Sequence, residues 1–545
     1  MRLFRYYFLI LILSLVPFVG IFFTPLLPHT HDGFVHLARI AAYFKALEDL
    51  QIPVRWAGDL NFGYGVPLFN FIYQVPYIIA SGLIYLGFGL VSSFKITLIL
   101  SFILSGFFMF GFSLSFFKDL RKAFLATIFY QFFPFRLVEI LVRGSFGEVY
   151  TYAFFPLVLW GIVLLFKKIS YRNILITSMG TFLLIFSHNA LSLVFFFLAI
   201  FFVLIFAEKP KRYIYPFFSL FLGLLMASFY WVPAIFEHKY TYGDLFMKNL
   251  YLEHFAPIQN FFIPNFLNAL SLQIKGISVH LGLFHVLGLI LGIVVIFSKK
   301  IIKLDRKQFI FSVCLFIAAL FVMQPISKPL WENIALLRQF QFPWRLLAVA
   351  GFALSMMSVF LLHFRFFRNR IVYFLLLFLV IFSTAYYWNP SLGWDKINEE
   401  YYWNYPLTTA GFGETDLIWS QGPANKYPTR RVEVIDGKGN VEVMMKKSNS
   451  LTFKVDNATS IKVVTHIQYF PGWRAYVDGI QAPIQFQYQI YRGEIIFEIP
   501  QGKHEVKLVF GESKIRFASD MLSIVGLIIL ISLGFLSKYY KRIWE

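Results

Sequence analysis

Long apolar runs recur along the whole chain, and short clusters of basic residues separate them. A membrane-spanning helix needs about 20 mostly apolar residues, and runs approaching that length recur about a dozen times. They begin near Tyr6, Lys95, Ala123, Val149, Ile174, Leu191, Tyr213, His280, Phe309, Arg345, Ile371 and Met521. The pattern predicts a polytopic α-helical membrane protein with about 12 transmembrane helices.

The composition excludes an ordinary water-soluble fold. Only 14% of the 545 residues are charged, and 58% are hydrophobic, whereas soluble domains carry about 25% charged residues. The net charge of +20 comes from basic clusters between apolar runs, where membrane orientation requires them, so we expect no nucleic-acid partner. The single cysteine, Cys314, excludes an internal disulfide framework.

The basic clusters predict the topology. With about twelve spans and a cytoplasmic N-terminus, every cluster falls in a cytoplasmic loop. The clusters are Arg2/Arg5, Lys118/Arg121/Lys122, Lys167/Lys168/Arg172, Lys209/Lys211/Arg212, Lys299/Lys300/Lys303/Arg306/Lys307, Arg365/Arg368/Arg370 and Lys538/Lys541/Arg542. This arrangement requires the apolar stretch 76–90 to be a helix on the outer surface. Residues 1–23 lack a small-residue cleavage site and predict an uncleaved first span. We expect a multi-pass protein of the plasma (cytoplasmic) membrane with both termini cytoplasmic.

The chain divides into three units. Residues 1–388 form the predicted transmembrane domain, with a first outer loop at 25–94, and residues 519–545 form the final transmembrane helix and a basic cytoplasmic tail. Residues 389–518 form an extracytoplasmic domain. From about residue 430, hydrophobic and polar residues alternate between turn dipeptides such as Asp478-Gly479. That texture predicts a C-terminal β-sandwich-like domain.

The first candidate site follows the first span, in the segment 28–39. Asp32 lies there beside His31, and a carboxylate at a bilayer exit costs free energy unless it is solvated or has a task. One reading is that Asp32 only caps the helix that follows. The other is a general base that faces a cavity at membrane level.

Metal binding at this segment is a separate question. The spacing of His29, His31 and His36 matches no strong zinc pattern, and no cysteine accompanies it. We expect no metal that is bound by protein ligands alone, and the sequence assigns no cofactor. A divalent cation held partly by Asp32 and partly by a substrate phosphate stays open as an alternative.

Further polar residues collect in the predicted outer loops. Arg55 and Tyr64 lie in a stretch rich in Gly, Pro and aromatic residues, which suits either phosphate contact or an aromatic anchor at the membrane interface. Arg143 and Glu148 form either an ion-pair network or a grip on an anionic head group. Arg345 begins a span from the outer side, where it either binds phosphate or snorkels to lipid head groups. His188 and Glu237 complete the set.

Several motifs resemble a known family. His31-Asp32-Gly33 with Arg39, Pro53-Val54-Arg55-Trp56, Gly63-Tyr64-Gly65, Arg143-Gly144 with Glu148, and Phe342-Pro343-Trp344-Arg345 resemble bacterial membrane proteins labelled "6-pyruvoyl-tetrahydropterin synthase-related". The stretch from Tyr469 to Gly479 is similar to YfhO-type membrane proteins. Both groups resemble the GT-C glycosyltransferase superfamily, and the label implies no pterin chemistry here.

The resemblance implies a function and roles for residues. Such enzymes place an acidic residue directly after the first span and take sugar from a polyprenyl-phosphate carrier, so Asp32 matches the catalytic position. A leaving phosphate needs positive charge, so the glycosyltransferase hypothesis assigns phosphate binding to Arg143, Arg345, Arg55 and His188 and secondary roles to His31, Glu148, Glu237 and Tyr64. The first outer loop lacks an Asp-x-Asp pair, which leaves metal dependence open. The absence of a WWDYG-type motif argues against transfer to protein asparagine.

Three functions remain as alternatives. The first is an inverting glycosyltransferase that moves sugar from a polyprenyl-phosphate carrier to an extracytoplasmic acceptor glycan, with membrane lipids around it. The second is a transporter or flippase for a lipid-linked glycan, for which charges within spans or paired broken helices would argue. The third is a non-catalytic scaffold for envelope assembly.

Overall fold

A computed structural model describes residues 2–263, 277–297, 303–390, 392–404 and 413–539. Several predicted features lie partly outside these ranges. They are the basic residues Lys299, Lys300, Lys541 and Arg542 and the end of the outer loop that follows Glu237.

Apolar helices long enough to cross a bilayer dominate the described ranges. Six single helices qualify by length and composition: Leu3–Phe22, Leu90–Phe117, Glu148–Lys167, Asn189–Phe206, Pro343–His363 and Lys514–Lys538. Three bent pairs add to them: Leu120–Gln131 with Pro134–Arg143 (47°), Lys211–Met226 with Ser228–Phe236 (66°), and Leu304–Val322 with Pro325–Asn333 (84°). The multi-pass prediction is confirmed, with six to nine candidate spans in the described ranges.

The predicted count of about twelve spans is not confirmed. Three of the predicted runs form helices that are shorter than a bilayer core requires. These are Tyr171–Ile185 with 15 residues, Leu283–Ile296 with 14 and Arg370–Phe382 with 13. The stretch expected to lie on the outer surface contains the helix Val75–Tyr85, whose 11 residues are also too few to cross.

Shorter α-helices lie outside these spans. They are Gly33–Glu48, Leu68–Phe71, Gly243–Met247, Ala335–Arg338, Arg365–Arg368 and Glu399–Asn404. The π-helical turn Glu139–Arg143 and the helix Lys328–Asn333 are parts of two bent pairs. Helix starts follow side-chain caps that the sequence supplies. Asp119 accepts hydrogen bonds from the backbone N–H groups of Arg121 and Lys122, and Asn369 caps the helix Arg370–Phe382 in the same way. Each cap satisfies donors that the first helical turn leaves without partners.

The C-terminal region is a β-sheet domain, as predicted. A two-stranded pair joins β1, Leu27–Pro28, to β2, Trp394–Asp395. The other strands are β3 Val432–Asp436, β4 Gly439–Lys447, β5 Ser450–Asn457, β6 Ile461–Gln468, β7 Trp473–Val477, β8 Ile480–Ala482, β9 Glu494–Ile499 and β10 Gly502–Phe510. They form a five-stranded sheet in the order β4-β5-β10-β7-β8 and a three-stranded sheet in the order β3-β6-β9, both antiparallel.

The core of this domain includes residues from the first outer loop. Inward-facing side chains of both sheets share one cluster, and Trp56 and Phe71 belong to it. Trp56 is 1% exposed, and its ring lies 5.3 Å from that of Phe510. Trp56 is therefore a core residue of the β-sheet domain. Trp473 belongs to the same cluster.

The turn that follows Trp56 covers its ring. Gly65 has φ +78°, and a Cβ there would lie 2.5–2.7 Å from atoms of the indole. Only glycine combines that backbone conformation with so close an approach. The motif around Tyr64 thus has a packing role, because it closes the loop over the β-domain core.

Polar contacts fasten the same loop to the β sheets. Asp59 pairs with Lys446 at 2.9 Å and with Lys45 at 2.7 Å. The Arg431 guanidinium donates to the carbonyl of Gly63, 2.7 Å away. The first loop and the β domain therefore form a joint structure above the helices.

Candidate active site

Asp32 stands at the start of the helix Gly33–Glu48 but does not cap it. The backbone N–H of Gly33 donates instead to the hydroxyl of Thr30, 3.1 Å away, and the Asp32 side chain makes no cap hydrogen bond. The cap-only reading of Asp32 therefore fails. The carboxylate is half-buried and joins none of the ion pairs seen in the described ranges.

Backbone hydrogen bonds hold Asp32 against the next outer loop. The N–H groups of His31 and Asp32 donate to the carbonyls of Val142 and Arg143 at 3.1 Å and 2.9 Å. Those carbonyls belong to the π-helical turn Glu139–Arg143. Such turns are rare and are often found at functional sites. These hydrogen bonds fix the first outer loop against the turn that carries Glu139 and Arg143.

Glu148 is the centre of a buried ion cluster beside Asp32. Its Oε1 accepts from Arg143 at 3.0 Å and from Arg345 at 2.9 Å, and the His188 Nε2 lies 3.8 Å away. Glu148 and Arg143 are each 2% exposed and Arg345 is 7% exposed. One carboxylate oxygen therefore joins three outer loops that are far apart in the sequence.

Each arginine of the cluster has further partners. Arg143 Nη1 donates to both carboxylate oxygens of Glu139 at 2.7 and 2.8 Å, and its guanidinium lies 4.6 Å from the ring of Trp344. Arg345 donates to the Phe340 carbonyl and to the Gln341 amide oxygen. Such a network fixes the guanidinium orientations, because several charge-assisted hydrogen bonds act on each group.

His188 enters the cluster as a neutral imidazole. Its Nδ1 accepts from the backbone N–H of Leu191, so it caps the helix Asn189–Phe206 and leaves the proton on Nε2, on the side of Glu148. Burial lowers the pKa of His188 to about 3; Arg345 and Arg143 lower it further, while Glu148 opposes the change. At neutral pH His188 therefore adds no positive charge beside Glu148.

Asp32 has an environment that suits a base. Burial raises the pKa of the Asp32 carboxyl above its ordinary value, against the opposing effect of Arg143 and with a smaller rise from Glu148. A raised pKa makes the ionised carboxylate a better proton acceptor. Because Asp32 is more exposed than Glu148 and Arg143, it lies toward the open side of the cluster.

Sequence reasoning did not select Arg39 as a site residue, although it stands in the same motif. Arg39 lies seven residues after Asp32, two turns along the same helix, and its charge acts on that carboxylate. Its guanidinium hydrogen-bonds Tyr77 and lies 3.9 Å from Glu414. The seven-residue spacing was the signal that could have found it.

Arg55 and Glu237 belong to a different cluster. Arg55 pairs with Asp520 at 2.8 Å and with Glu512 at 3.6 Å, and it is 1% exposed. Glu237 accepts from Ser513 at 2.6 Å. These contacts join the first loop to the start of the last helix, Lys514–Tyr539. Arg55 therefore has an interdomain role in this structure, and its assignment to phosphate stays a prediction.

Tyr64 also lies apart from Asp32. Its carbonyl accepts from the backbone N–H of Gln468, and its ring lies 5.8 Å from that of His466 in the β domain. Two of the three histidines near Asp32 have partners elsewhere: His29 pairs with Asp395 at 2.8 Å, and His36 contacts the Tyr77 hydroxyl at 3.0 Å. His31 stays beside Asp32, where its charge acts on that carboxylate. Within the described ranges no group of three or more His, Cys, Asp or Glu residues could hold a metal ion.

A small void lies beside the site. It is lined by Pro28, Thr30, Lys95, Ile140 and Leu141 among others, between the first loop and the adjacent helices. Its volume of ≈ 10 Å³ corresponds to about one water molecule. This void is therefore too small to hold a sugar or a phosphate.

Comparisons with known proteins complete the description. No protein-family model and no curated protein sequence matches the chain. Among solved structures, the chain is similar to the cryo-EM structure of the arabinofuranosyltransferase AftD from Mycobacteria, with 14% sequence identity and a TM-score of 0.40. The match covers 71% of this chain and 26% of that protein, so the chain spans about a quarter of the length of the protein it matches.

Proposed function

We propose that the protein is a GT-C-type inverting glycosyltransferase that uses a polyprenyl-phosphate-linked sugar and an extracytoplasmic acceptor glycan. One observation supports the proposal most directly. The Asp32 side chain makes no cap hydrogen bond, and backbone hydrogen bonds hold it beside a buried cluster of arginines after the first apolar helix. A carboxylate in such a place has the features of a general base rather than of a structural residue.

The proposed reaction is a single displacement. An acceptor hydroxyl attacks the anomeric carbon of the sugar, its proton passes to Asp32, and the bond from that carbon to the phosphate oxygen breaks. The lipid phosphate leaves with the electron pair, and the anomeric configuration inverts. A membrane-level site lets the lipid tail stay in the bilayer while the sugar reaches the outer loops.

The leaving phosphate needs positive charge nearby. Arg143 and Arg345 are the candidates, although both already pair with Glu148. The Arg143 Nε has no hydrogen-bond partner in the part of the chain that the structure describes, which leaves one donor for phosphate. Arg39 adds a third positive charge close to Asp32. Glu148 then acts as a positioning residue that sets the direction of both guanidinium groups.

Reconstitution tests the proposal. The full-length protein in nanodiscs is incubated with polyprenyl phosphates that carry a hexose or a pentose, together with envelope oligosaccharides as acceptors. We expect sugar transfer by the wild-type protein and a loss of about 100-fold or more in kcat for Asp32→Asn. Glu48→Gln is the matched control, because Glu48 is exposed at the other end of the same helix.

The controls separate chemistry from folding. Asp32→Asn must keep the wild-type unfolding temperature and elution volume, since the carboxylate takes no part in the cap. Transfer at the wild-type rate by this variant excludes Asp32 as the base. Absence of transfer with every donor by the folded wild-type protein refutes the enzyme proposal.

A second function has its own support. Three candidate spans are bent pairs, and Arg136 is 1% exposed in one of them, where its guanidinium lies 4.1 Å from the ring of Tyr152. Broken helices and buried charges within spans are typical of transporters. Movement of a fluorescent lipid-linked glycan across liposomes, lost in Arg136→Met and kept in Asp32→Asn, would favour a flippase.

A further inference from the structure

A groove lies between a membrane-domain loop and the start of the β-sheet domain. Two segments border it, 240–242 and 416–418, and they meet in an isolated antiparallel bridge between Thr241 and Leu417. The N–H of Tyr242 donates to the carbonyl of Asp416 at 2.9 Å, and the N–H of Ile418 donates to that of Tyr240 at 3.1 Å. The groove has a volume of ≈ 520 Å³, within the roughly 300–1,000 Å³ typical of ligand pockets. It is lined by Tyr242, Leu245, Asp416, Ser420, Gln421, Gly422 and Pro423.

Asp416 is the most unusual residue of this groove. It is 8% exposed, and its carboxylate has no hydrogen-bond or ion-pair partner among the described residues. Burial raises the pKa of Asp416 to about 6, and Glu414 adds to the rise. Partial burial of a carboxylate costs free energy. A ligand that donates hydrogen bonds would offset this cost.

The other lining groups indicate the class of ligand. The Tyr242 ring is held in place because its hydroxyl donates to the Ile418 carbonyl at 3.0 Å. Gln421 offers an exposed amide, and Leu245 and Pro423 offer apolar surface. A sugar ring presents hydroxyl donors at its edge and C–H groups on its faces, which match a carboxylate beside an aromatic ring. A phosphate would be repelled by Asp416 and Glu414.

The groove wall is connected to the helix that carries Asp32. Glu414 precedes Asp416 by two residues and lies 3.9 Å from the Arg39 guanidinium. Arg39 belongs to the helix Gly33–Glu48, which begins directly after Asp32. A ligand that orders the segment 413–423 therefore acts on the same helix as the proposed base.

We infer that this groove is a binding subsite for an uncharged acceptor glycan, with Asp416 accepting hydrogen bonds from sugar hydroxyls and Tyr242 packing against a sugar face. That the bound glycan is an acceptor rests on the proposed glycosyltransferase function, whereas glycan binding itself can be measured without any reaction. Asp416 and Tyr242 are binding residues here and take no part in proton transfer.

Binding is measured on the full-length protein in nanodiscs. Saturation-transfer NMR is recorded with four probes: maltohexaose, mannohexaose, galactohexaose and arabinohexaose. We expect saturable binding of at least one probe, and a rise in its Kd of about tenfold or more in Asp416→Asn and in Tyr242→Ala. Asp456→Asn is the matched control, because Asp456 lies exposed on the β-sheet domain in a pair with Lys503.

The outcomes for the two proposals are distinguishable. No binding of any probe by the folded wild-type protein, or an unchanged Kd in both groove variants, overturns the subsite. If transfer is observed, an acceptor KM that does not rise in Asp416→Asn also overturns it, while the enzyme proposal stands. If the folded wild-type protein transfers no sugar from any donor and the groove variants still lose binding, the enzyme proposal fails and the glycan site remains.

Discussion

The ring of Trp56, from the first outer loop, meets the ring of Trp473, from strand β7, edge to face at 5.5 Å with an interplanar angle of 86°. Both side chains are buried in the core of the β-sheet domain. Aromatic pairs in this geometry add to the stabilisation from burial alone. A loop between membrane spans and a domain near the other end of the chain therefore share one core.

Trp56→Ala is expected to destabilise this joint core by about 3–5 kcal/mol, because it removes a fully buried aromatic side chain and leaves a cavity. Unfolding of the full-length protein in detergent, followed by tryptophan fluorescence, measures the change. The control is Trp394→Ala, at a position that is 38% exposed, with an expected loss of less than about 1 kcal/mol. Equal losses in the two variants would contradict the shared core.

Glu148→Gln is expected to destabilise the protein by about 3 kcal/mol or more, since it leaves two buried guanidinium groups without their shared carboxylate. The matched variant is Glu332→Gln, which breaks an exposed pair with Lys328 at 3.5 Å. That change should cost less than about 1 kcal/mol. Thermal unfolding of both variants checks the difference, and similar midpoints would show that Glu148 does not hold the cluster.

The activity should depend on pH through Asp32. Because burial raises the pKa of Asp32, the carboxyl takes up its proton at a higher pH than an ordinary aspartate. The base form is then lost as pH falls through that raised pKa, so kcat/KM should decline on the acid side above the usual aspartate range. A pH profile that stays flat down to about pH 4 would exclude a base with a raised pKa.

The docking of the first loop on the β domain should depend on Asp59. Burial acts to raise the pKa of Asp59, but Lys446 and Lys45 outweigh it and lower the pKa to about 2. The ionised carboxylate therefore stabilises the folded state above the ordinary aspartate pKa, and this contribution is lost as pH falls toward 2.

Asp59→Asn should thus loosen the loop at neutral pH. Hydrogen exchange of residues 57–66 is expected to rise in this variant, whereas Asp456→Asn, in an exposed pair with Lys503, should leave it unchanged. Wild-type exchange in Asp59→Asn at neutral pH would show that the two lysine pairs do not fasten the loop.

The membrane character and the β-sheet region were predictable from the sequence because both depend on local periodicity and composition. The predicted number of about twelve spans is not confirmed. Proline and short helices interrupt the apolar runs, as at Pro134 and Pro325, where the chain bends within a hydrophobic stretch. A hydropathy average over a window of residues includes both sides of such a break, so it does not show the bend angle between the two helices.

The candidate site was partly predictable. Asp32, Arg143, Glu148, His188 and Arg345 were selected because each is a polar group at the outer end of an apolar run, and the structure brings them together. The same reasoning selected residues that lie elsewhere, namely Arg55, Glu237 and Tyr64. Sequence patterns identify which groups face outward, whereas the choice of neighbours depends on how distant loops pack.

The placement of Trp56 has a consequence for biosynthesis. The loop that carries it leaves the ribosome early, while the strands that surround its ring are made near the end of translation. Until those strands are made, the Trp56 side chain is exposed at the membrane surface, where it can bind chaperones or form non-native contacts. The β strands, in turn, cannot complete their core without Trp56, which is synthesised long before them. Truncation at either end of the chain should therefore leave the other end incompletely folded.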